Sequence, residues 1–277
     1  MILSGITAII LTFNEEKNIK ECLSSLSNFA NRIIVIDSYS TDNTKSICES
    51  FNVEFYEHKF ETHAKQFEYG LNNFNINTKW IIRLDADERL SQEAKSELIS
   101  LCNEHCDDDV NGIIVHFKLY FLGKYLKHGG VYPIKKLIVF KNQTAHIEEK
   151  EMDEHIVLDE GRTVDCKEDC LHHDCKSIFD WIDKHNKYST KAANDYFANN
   201  VGELSSLDYH AKKKAKKKKF FYKLKPGFRA KLYFVYRYYL KFGFLDGKPG
   251  KYYAFLQAYW YRYLIDIKIH EKELLNQ

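Results

Sequence analysis

The chain has 277 residues, enough to bury one large core or two smaller ones, and its 44% hydrophobic content excludes a disordered polypeptide. No run of 18 apolar residues is present, so a membrane span is not expected. The net charge of +2 conceals a division, because residues 205–277 carry 18 Lys and Arg against 5 Asp and Glu while the first 204 carry 23 against 34. An acidic body with a basic end points to an anionic partner for that end, either membrane lipid or nucleic acid.

Ile6 to Leu11 is a continuous apolar run, the pattern of a strand buried on both faces of a parallel sheet. A turn through Thr12-Phe13-Asn14-Glu15-Glu16 leads into a predicted helix over 17–29, with Ile19, Cys22, Leu23 and Leu26 on one face. Asn14 is a possible cap for that helix. Arg32 to Ile36 reads as a second buried strand ending at Asp37. Thr41 or Asp42 is placed to cap the helix that follows. Val53 to Glu57 is a short third strand, His63 to Asn73 a helix, and Trp80 to Leu84 a fourth strand.

That fourth strand runs into Asp85-Ala86-Asp87. Carboxylates at the edge of a core call for a cation. At i, i+2 on extended backbone both side chains leave one face and can share a hard metal that keeps positions open for phosphate oxygens. Strands alternating with helices imply βαβ units and a mostly parallel sheet, the α/β class. Asn14, Asp37 and Asp85 each fall just past a strand's C-terminus, where open α/β sheets bind ligands, so three separate segments converge on one crevice.

Further on, a helix is predicted over Gln92 to Cys102, and strands over Gly112 to Phe121 and Leu137 to Phe140. Ser177 to Asn199 reads as a helix with Ile178, Trp181, Ile182, His185, Tyr188 and Ala192 at helical spacing. The group Cys166, Cys170, His172, His173 and Cys175 is too compressed for an ordinary structural zinc site. Seven cysteines is an odd number with no scaffold spacing, and the start, Met1 to Gly5, lacks a charged leader region; a reducing cytoplasm is the expected setting.

Three pieces together, Thr12-Phe13-Asn14-Glu15-Glu16, Val35-Ile36-Asp37-Ser38-Tyr39-Ser40-Thr41-Asp42 and Arg83-Leu84-Asp85-Ala86-Asp87-Glu88, resemble family 2 inverting glycosyltransferases of the GT-A fold. Met152-Asp153-Glu154-His155, Leu171-His172-His173-Asp174, Lys176-Ser177, Trp181 and Gly243-Phe244-Leu245-Asp246-Gly247-Lys248 resemble its bacterial branch that builds lipopolysaccharide core and surface polysaccharide. Val131 and Ile138 depart from that branch, where Trp and Arg are usual.

The resemblance implies a donor site for a nucleotide diphosphate sugar, with uridine the first choice and guanosine the second. Asp37 would bind the uracil or ribose end, and Thr12, Asn14 and Glu15 would line the same pocket. Asp85 would meet the ribose or a metal-bound water, Asp87 would hold Mg²⁺ or Mn²⁺ on the diphosphate, and His172 is a further candidate metal contact. Arg83 and Lys65 would add positive charge. Glu154, or else Asp153, would be the general base on the acceptor hydroxyl. A nucleotidyltransferase is the rival enzyme, but the Gly-rich basic loop it would open with is absent after Leu11; a noncatalytic polysaccharide- or membrane-binding protein is the other rival.

The expected domains are a catalytic domain over 1–204, with a nucleotide-sugar half over about 1–100 and an acceptor half over about 101–204, and a helical extension over 205–277. In that extension seven lysines between Lys212 and Lys219 precede Phe220-Phe221-Tyr222. Lysines next to an anionic leaflet contribute about 1 kcal/mol each, and aromatic rings favour the interface. The predicted location is peripheral, on the inner face of the cell membrane through residues 212–222. No RNA-binding signature accompanies the lysines, so nucleic acid is not the expected partner.

Overall fold

The computed structural model describes residues 5–148, 154–199 and 222–275. Asp153 and the lysine run 212–219 therefore lie outside the described residues. The chain divides into two compact units, one of residues 1–125 and 132–176, the other of 126–131 and 177–277.

The first unit is built on a sheet in the order β3-β2-β1-β4-β8-β6-β11-β5, with the short β7 (Lys124–Tyr125) antiparallel on β6. Its leading half is parallel, formed by β1 (Ile6–Thr12), β2 (Arg32–Asp37), β3 (Glu54–Glu57) and β4 (Trp80–Asp85). Antiparallel pairing enters at β8 (Ile134–Lys141), which lies between β4 and β6 (Val110–Phe121). β11 (Arg162–His173) runs parallel to β6, and the two-residue β5 (Glu88–Arg89) pairs antiparallel with its end. A parallel α/β half joined to a mixed half is the GT-A arrangement.

Both faces of the sheet are covered, which is why β1 reads as an unbroken apolar run. Ala8, Ile10, Ile82 and Leu84 point into a core closed by α1 (Ile19–Leu26), α2 (Thr44–Glu49) and α4 (Gln92–Glu104). Their neighbours Ile9, Ile34, Ile36 and Ile81 point the other way, against α3 (His63–Asn72) and the hairpin of β9 (Ala145–Ile147) and β10 (Ile156–Leu158). Ile19, Cys22, Leu23 and Leu26 are the buried face of α1, as their spacing predicts. Thr62 caps α3 by accepting from Lys65 N, and Ser91 caps α4 by accepting from Ala94 N.

In the second unit α5 (Ile178–Asn199) lays Tyr188, Ala192, Ala193 and Tyr196 on Tyr261, Ile265 and Ile269 of α8 (Tyr261–Leu275). Ile182, expected on that face, is instead exposed. Between them run α6 (Phe228–Val235), a π-helical stretch Tyr236–Leu240, a 3-10 turn Gly243–Asp246, α7 (Gly247–Tyr253) and a second π-helical stretch Ala254–Trp260. A Cβ on Gly250 would collide with the Gly243 carbonyl oxygen, so this crossing needs glycine. Buried Asp246 accepts from His128 N at 2.8 Å and pairs with His128 Nδ1 at 2.8 Å.

Trp80 is fully buried and donates Nε1–H to the Cys102 carbonyl at 3.0 Å, joining β4 to α4. Trp80→Ala is expected to cost about 3–5 kcal/mol. A lowered urea midpoint at unchanged m would show it.

Candidate functional site

Thr12, Asp37 and Asp85 stand at the same edge of the parallel sheet, because Thr12 is in register with Asp37 and Leu11 with Asp85. Asp37 is 1% exposed and accepts from Thr12 Oγ1 at 2.8 Å, Ser40 N at 2.7 Å and Ser40 Oγ at 2.6 Å. It shapes the loop after β2 by the Asx-type bonding expected of a turn residue.

Asn14 is not a cap of α1. It takes a left-handed conformation at φ 54°, and its Oδ1 accepts from Thr41 N at 2.8 Å while its own N–H donates to Ser40 Oγ at 2.8 Å. The loops after β1 and β2 are thereby joined. Asp42, of the two capping candidates, accepts from Thr44 N at 2.9 Å at the start of α2. Burial raises the Asp42 carboxyl, but its bonds from Thr44 and Glu16 N outweigh this and hold it below its usual range.

Asp85 and Asp87 do not share one extended strand. β4 ends at Asp85, and Ala86-Asp87 turn the chain into β5. Glu88 closes that turn by accepting from Asp85 N at 3.1 Å, and it is 1% exposed. Lys136, from β8, reaches both carboxylates: its Nζ lies 3.3 Å from Asp85 Oδ2 and hydrogen-bonds Glu88 Oε1. Arg83 adds a second cation 3.7 Å from Asp85 Oδ1 and lies over the Phe67 ring. Burial works against the Asp85 anion, but Lys136 and then Arg83 overcome it and hold the carboxyl well below its usual range. Burial likewise opposes the charge on Lys136, and Glu88 and Asp85 push its pKa above that of a free lysine.

His172 reaches this turn through strand pairing, since it stands opposite Glu88 in the β5–β11 ladder. Its Nε2 is 3.7 Å from Asp87 Oδ2 and its Nδ1 3.6 Å from Glu88 Oε1, and Nδ1 is buried with no hydrogen-bond partner. Burial disfavours the imidazolium, but Asp87 and Glu88 raise its pKa. Cys166 and Cys170 are core residues, so the cluster read for zinc spacing is not brought together.

Lys176 lies 2.6 Å from Glu15 Oε1, and burial raises the Glu15 pKa against that cation. Asn18 binds Glu15 Oε2, Asp174 Oδ1 and Cys175 N, tying the chain after β11 to the loop after β1. Lys65 is exposed and paired with Glu61 at 2.5 Å. Glu154 precedes β10, with Oε1 shielded from water and unpartnered. Asp153 is outside the described residues.

Lys136, Glu88, Lys176 and Asn18 were not singled out by motif reading. Glu88 and Lys176 belong to stretches that carry the resemblance, but Lys136 has no signal except a lysine beside an apolar strand.

Among the described residues no group of three or more His, Cys, Asp or Glu side chains is arranged to hold a metal. The donors present nevertheless fit a hard divalent cation. Asp87 Oδ2 and His172 Nε2 face each other, and such ions commonly complete their shell with phosphate oxygens and water.

Residues 7–156 match the model of the family described as "Glycosyl transferase family 2". The chain is 26% identical over 265 residues to the lipopolysaccharide core biosynthesis glycosyltransferase LpsC of Rhizobium meliloti, covering 91% of this chain and 90% of that one. It is 40% identical over 97 residues to the SPbeta prophage-derived glycosyltransferase SunS of Bacillus subtilis, a match covering 34% of this chain and about a fifth, 22%, of SunS. A solved structure of glucosyl-3-phosphoglycerate synthase from Mycobacterium tuberculosis, in complex with Mn²⁺, uridine diphosphate and glucosyl-3-phosphoglycerate, aligns with TM-score 0.34 at 16% identity over 43% of this chain and 44% of that one.

Lys136→Met is expected to destabilise the protein by about 3–5 kcal/mol at neutral pH, because it strands buried Glu88 beside Asp85. Asp85 titrates below its ordinary value, so its contribution is present above about pH 4 and lost as pH falls further. The gap between wild type and variant should therefore narrow below pH 4 in denaturant titrations.

Proposed function

The chain belongs to glycosyl transferase family 2, and from that premise we propose that it moves a sugar from a nucleotide diphosphate donor, uridine diphosphate first, to a lipid-linked or lipopolysaccharide-type glycan. The acceptor class draws on the similarity to LpsC along most of both chains. The observation that carries the reading is the meeting of Asp85, Asp87 and His172 at the sheet edge that also holds Thr12 and Asp37.

In this reading Asp37, Thr12 and the linked loops of Asn14 and Glu15 receive the nucleoside. Arg83 and Lys65 supply positive charge near the phosphates, and Asp85 orients the ribose or a bound water. Asp87 and His172 would hold Mg²⁺ or Mn²⁺, which when bound offsets the charge growing on the departing nucleoside diphosphate. Glu154 takes the proton of the acceptor hydroxyl as its oxygen attacks the anomeric carbon from the side opposite the leaving group, and this inverts the centre. An unpartnered buried carboxylate oxygen on Glu154 supports that role; Asp153 is the alternative.

Turnover of a panel of nucleotide sugars with and without Mn²⁺ tests the assignment. Glu154→Gln should lower turnover by about 100- to 10,000-fold while donor binding survives. Asp87→Asn should weaken Mn²⁺-dependent donor binding itself. Near-normal turnover in the first variant would transfer the base role to Asp153.

Peripheral attachment to the inner leaflet belongs to the same proposal. No helix among the described residues is long and apolar enough to cross a membrane. The second unit exposes Tyr239, Leu240, Phe242 and Leu245, each more than half accessible, beside Lys241. Rings and lysines in that mixture suit an anionic interface. Co-sedimentation with phosphatidylglycerol vesicles, weakened by salt and absent with phosphatidylcholine alone, is expected; equal binding to both, or to neither, would refute it.

A further inference from the structure

Two Tyr-Arg-Tyr triads, Tyr236-Arg237-Tyr238 and Tyr261-Arg262-Tyr263, stand in the second unit. The fold brings their arginines to one ring: the Arg237 guanidinium lies 5.6 Å and that of Arg262 5.4 Å from the centre of Tyr233. Both also act on the hydroxyl of Tyr253, whose pKa burial raises and the two guanidiniums pull back. Arg237 Nη1 donates to Tyr233 Oη at 3.0 Å. Arg262 makes no hydrogen bond or ion pair among the described residues, and its Nε is shielded from water. Gln257, one turn from both Tyr253 and Arg262 on the same helix, has a buried Oε1 that is also unpartnered.

Arg229 shows what satisfaction looks like in this unit, for it is buried in an ion pair with Asp266. Arg237 and Arg262 have no carboxylate in that position. Arg237 and Tyr253 line a small hollow whose one carboxylate, Asp246, is already taken by His128. Two guanidiniums set against one ring, with no carboxylate paired to either among the described residues, leave positive charge that an anion would offset. Guanidinium forks match phosphate oxygens. Arg237 and Gln257 both sit on π-helical stretches, a geometry that recurs at functional sites.

We propose that Arg237 and Arg262, with Tyr253 and Gln257 beside them, form a binding site for a phosphate group, separate from the donor residues of the first unit. The group belongs either to a soluble phosphate ester or to a lipid headgroup. Tyr253 and Gln257 would add hydrogen bonds to the phosphate or to a neighbouring hydroxyl.

Phenylglyoxal labelling of arginines on the full chain, read by peptide mass spectrometry, tests this without any substitution. At inorganic phosphate about ten times its Kd, labelling of Arg237 and Arg262 should slow about tenfold relative to chloride of equal ionic strength. Arg32 and Arg162, each paired with a carboxylate, should label unchanged. A second arm uses phosphatidylglycerol and phosphatidylcholine vesicles. Protection by phosphate alone assigns a soluble ester, and protection only by the anionic vesicles assigns a headgroup. Protection by neither overturns the site. Arg262→Gln should abolish protection at Arg237 at unchanged far-ultraviolet circular dichroism; protection that persists at the wild-type level would also overturn it.

Discussion

Three carboxylates within four residues, Asp85, Asp87 and Glu88, crowd the end of β4, and Lys136 makes that arrangement possible. Burying Glu88 alone would cost several kcal/mol. Lys136 reaches it from the neighbouring strand and shares its charge with Asp85, so the turn closes on a fixed cation. Asp87 lies beyond that pair, its Oδ2 3.7 Å from His172 Nε2.

The same turn explains the path of the chain after β10. β11 runs alongside β6 from Arg162 on, and His172, its eleventh residue, then stands opposite Glu88. Asn18 and Lys176 then fasten the exit of β11 to Glu15 in the loop after β1. Residues some 160 positions apart in sequence thus share one edge, where the helix-bearing parallel strands also end. Such an edge is where an open α/β sheet offers unpaired backbone and side chains to a ligand.

The parallel half was legible because its strands are buried on both faces and announce themselves as apolar runs, Ile6 to Leu11 above all. The positions of Asn14, Asp37 and Asp85 followed from the strand ends. β11 was not legible. Its sequence, Arg-Thr-Val-Asp-Cys-Lys-Glu-Asp-Cys-Leu-His-His, alternates poorly because a bulge between Asp165 and Asp169 breaks the period of two. Cys166 and Cys170 are core residues on this strand. Lys136 was hidden for a different reason: its importance depends on pairing between β4 and β8, residues far apart in sequence, which composition and spacing do not encode.

The charge division seen in the composition takes physical form in the second unit. Residues 222–275 hold four carboxylates, Asp246, Asp266, Glu271 and Glu273, against eleven Lys and Arg. The two buried ones are spent on the fold: Asp266 on Arg229 and Gly227 N, Asp246 on His128. Glu273 lies 3.8 Å from His270 at the exposed end of α8. None of the four is paired with Arg237 or Arg262 among the described residues, and aromatic rings serve instead: Tyr233 beside both, with Tyr261 beside Arg262. Rings attract a guanidinium over their faces without neutralising it. Beside the exposed lysines of this region, Arg237 and Arg262 thus keep a charge that only rings face, and an unneutralised guanidinium is what an oxyanion recognises.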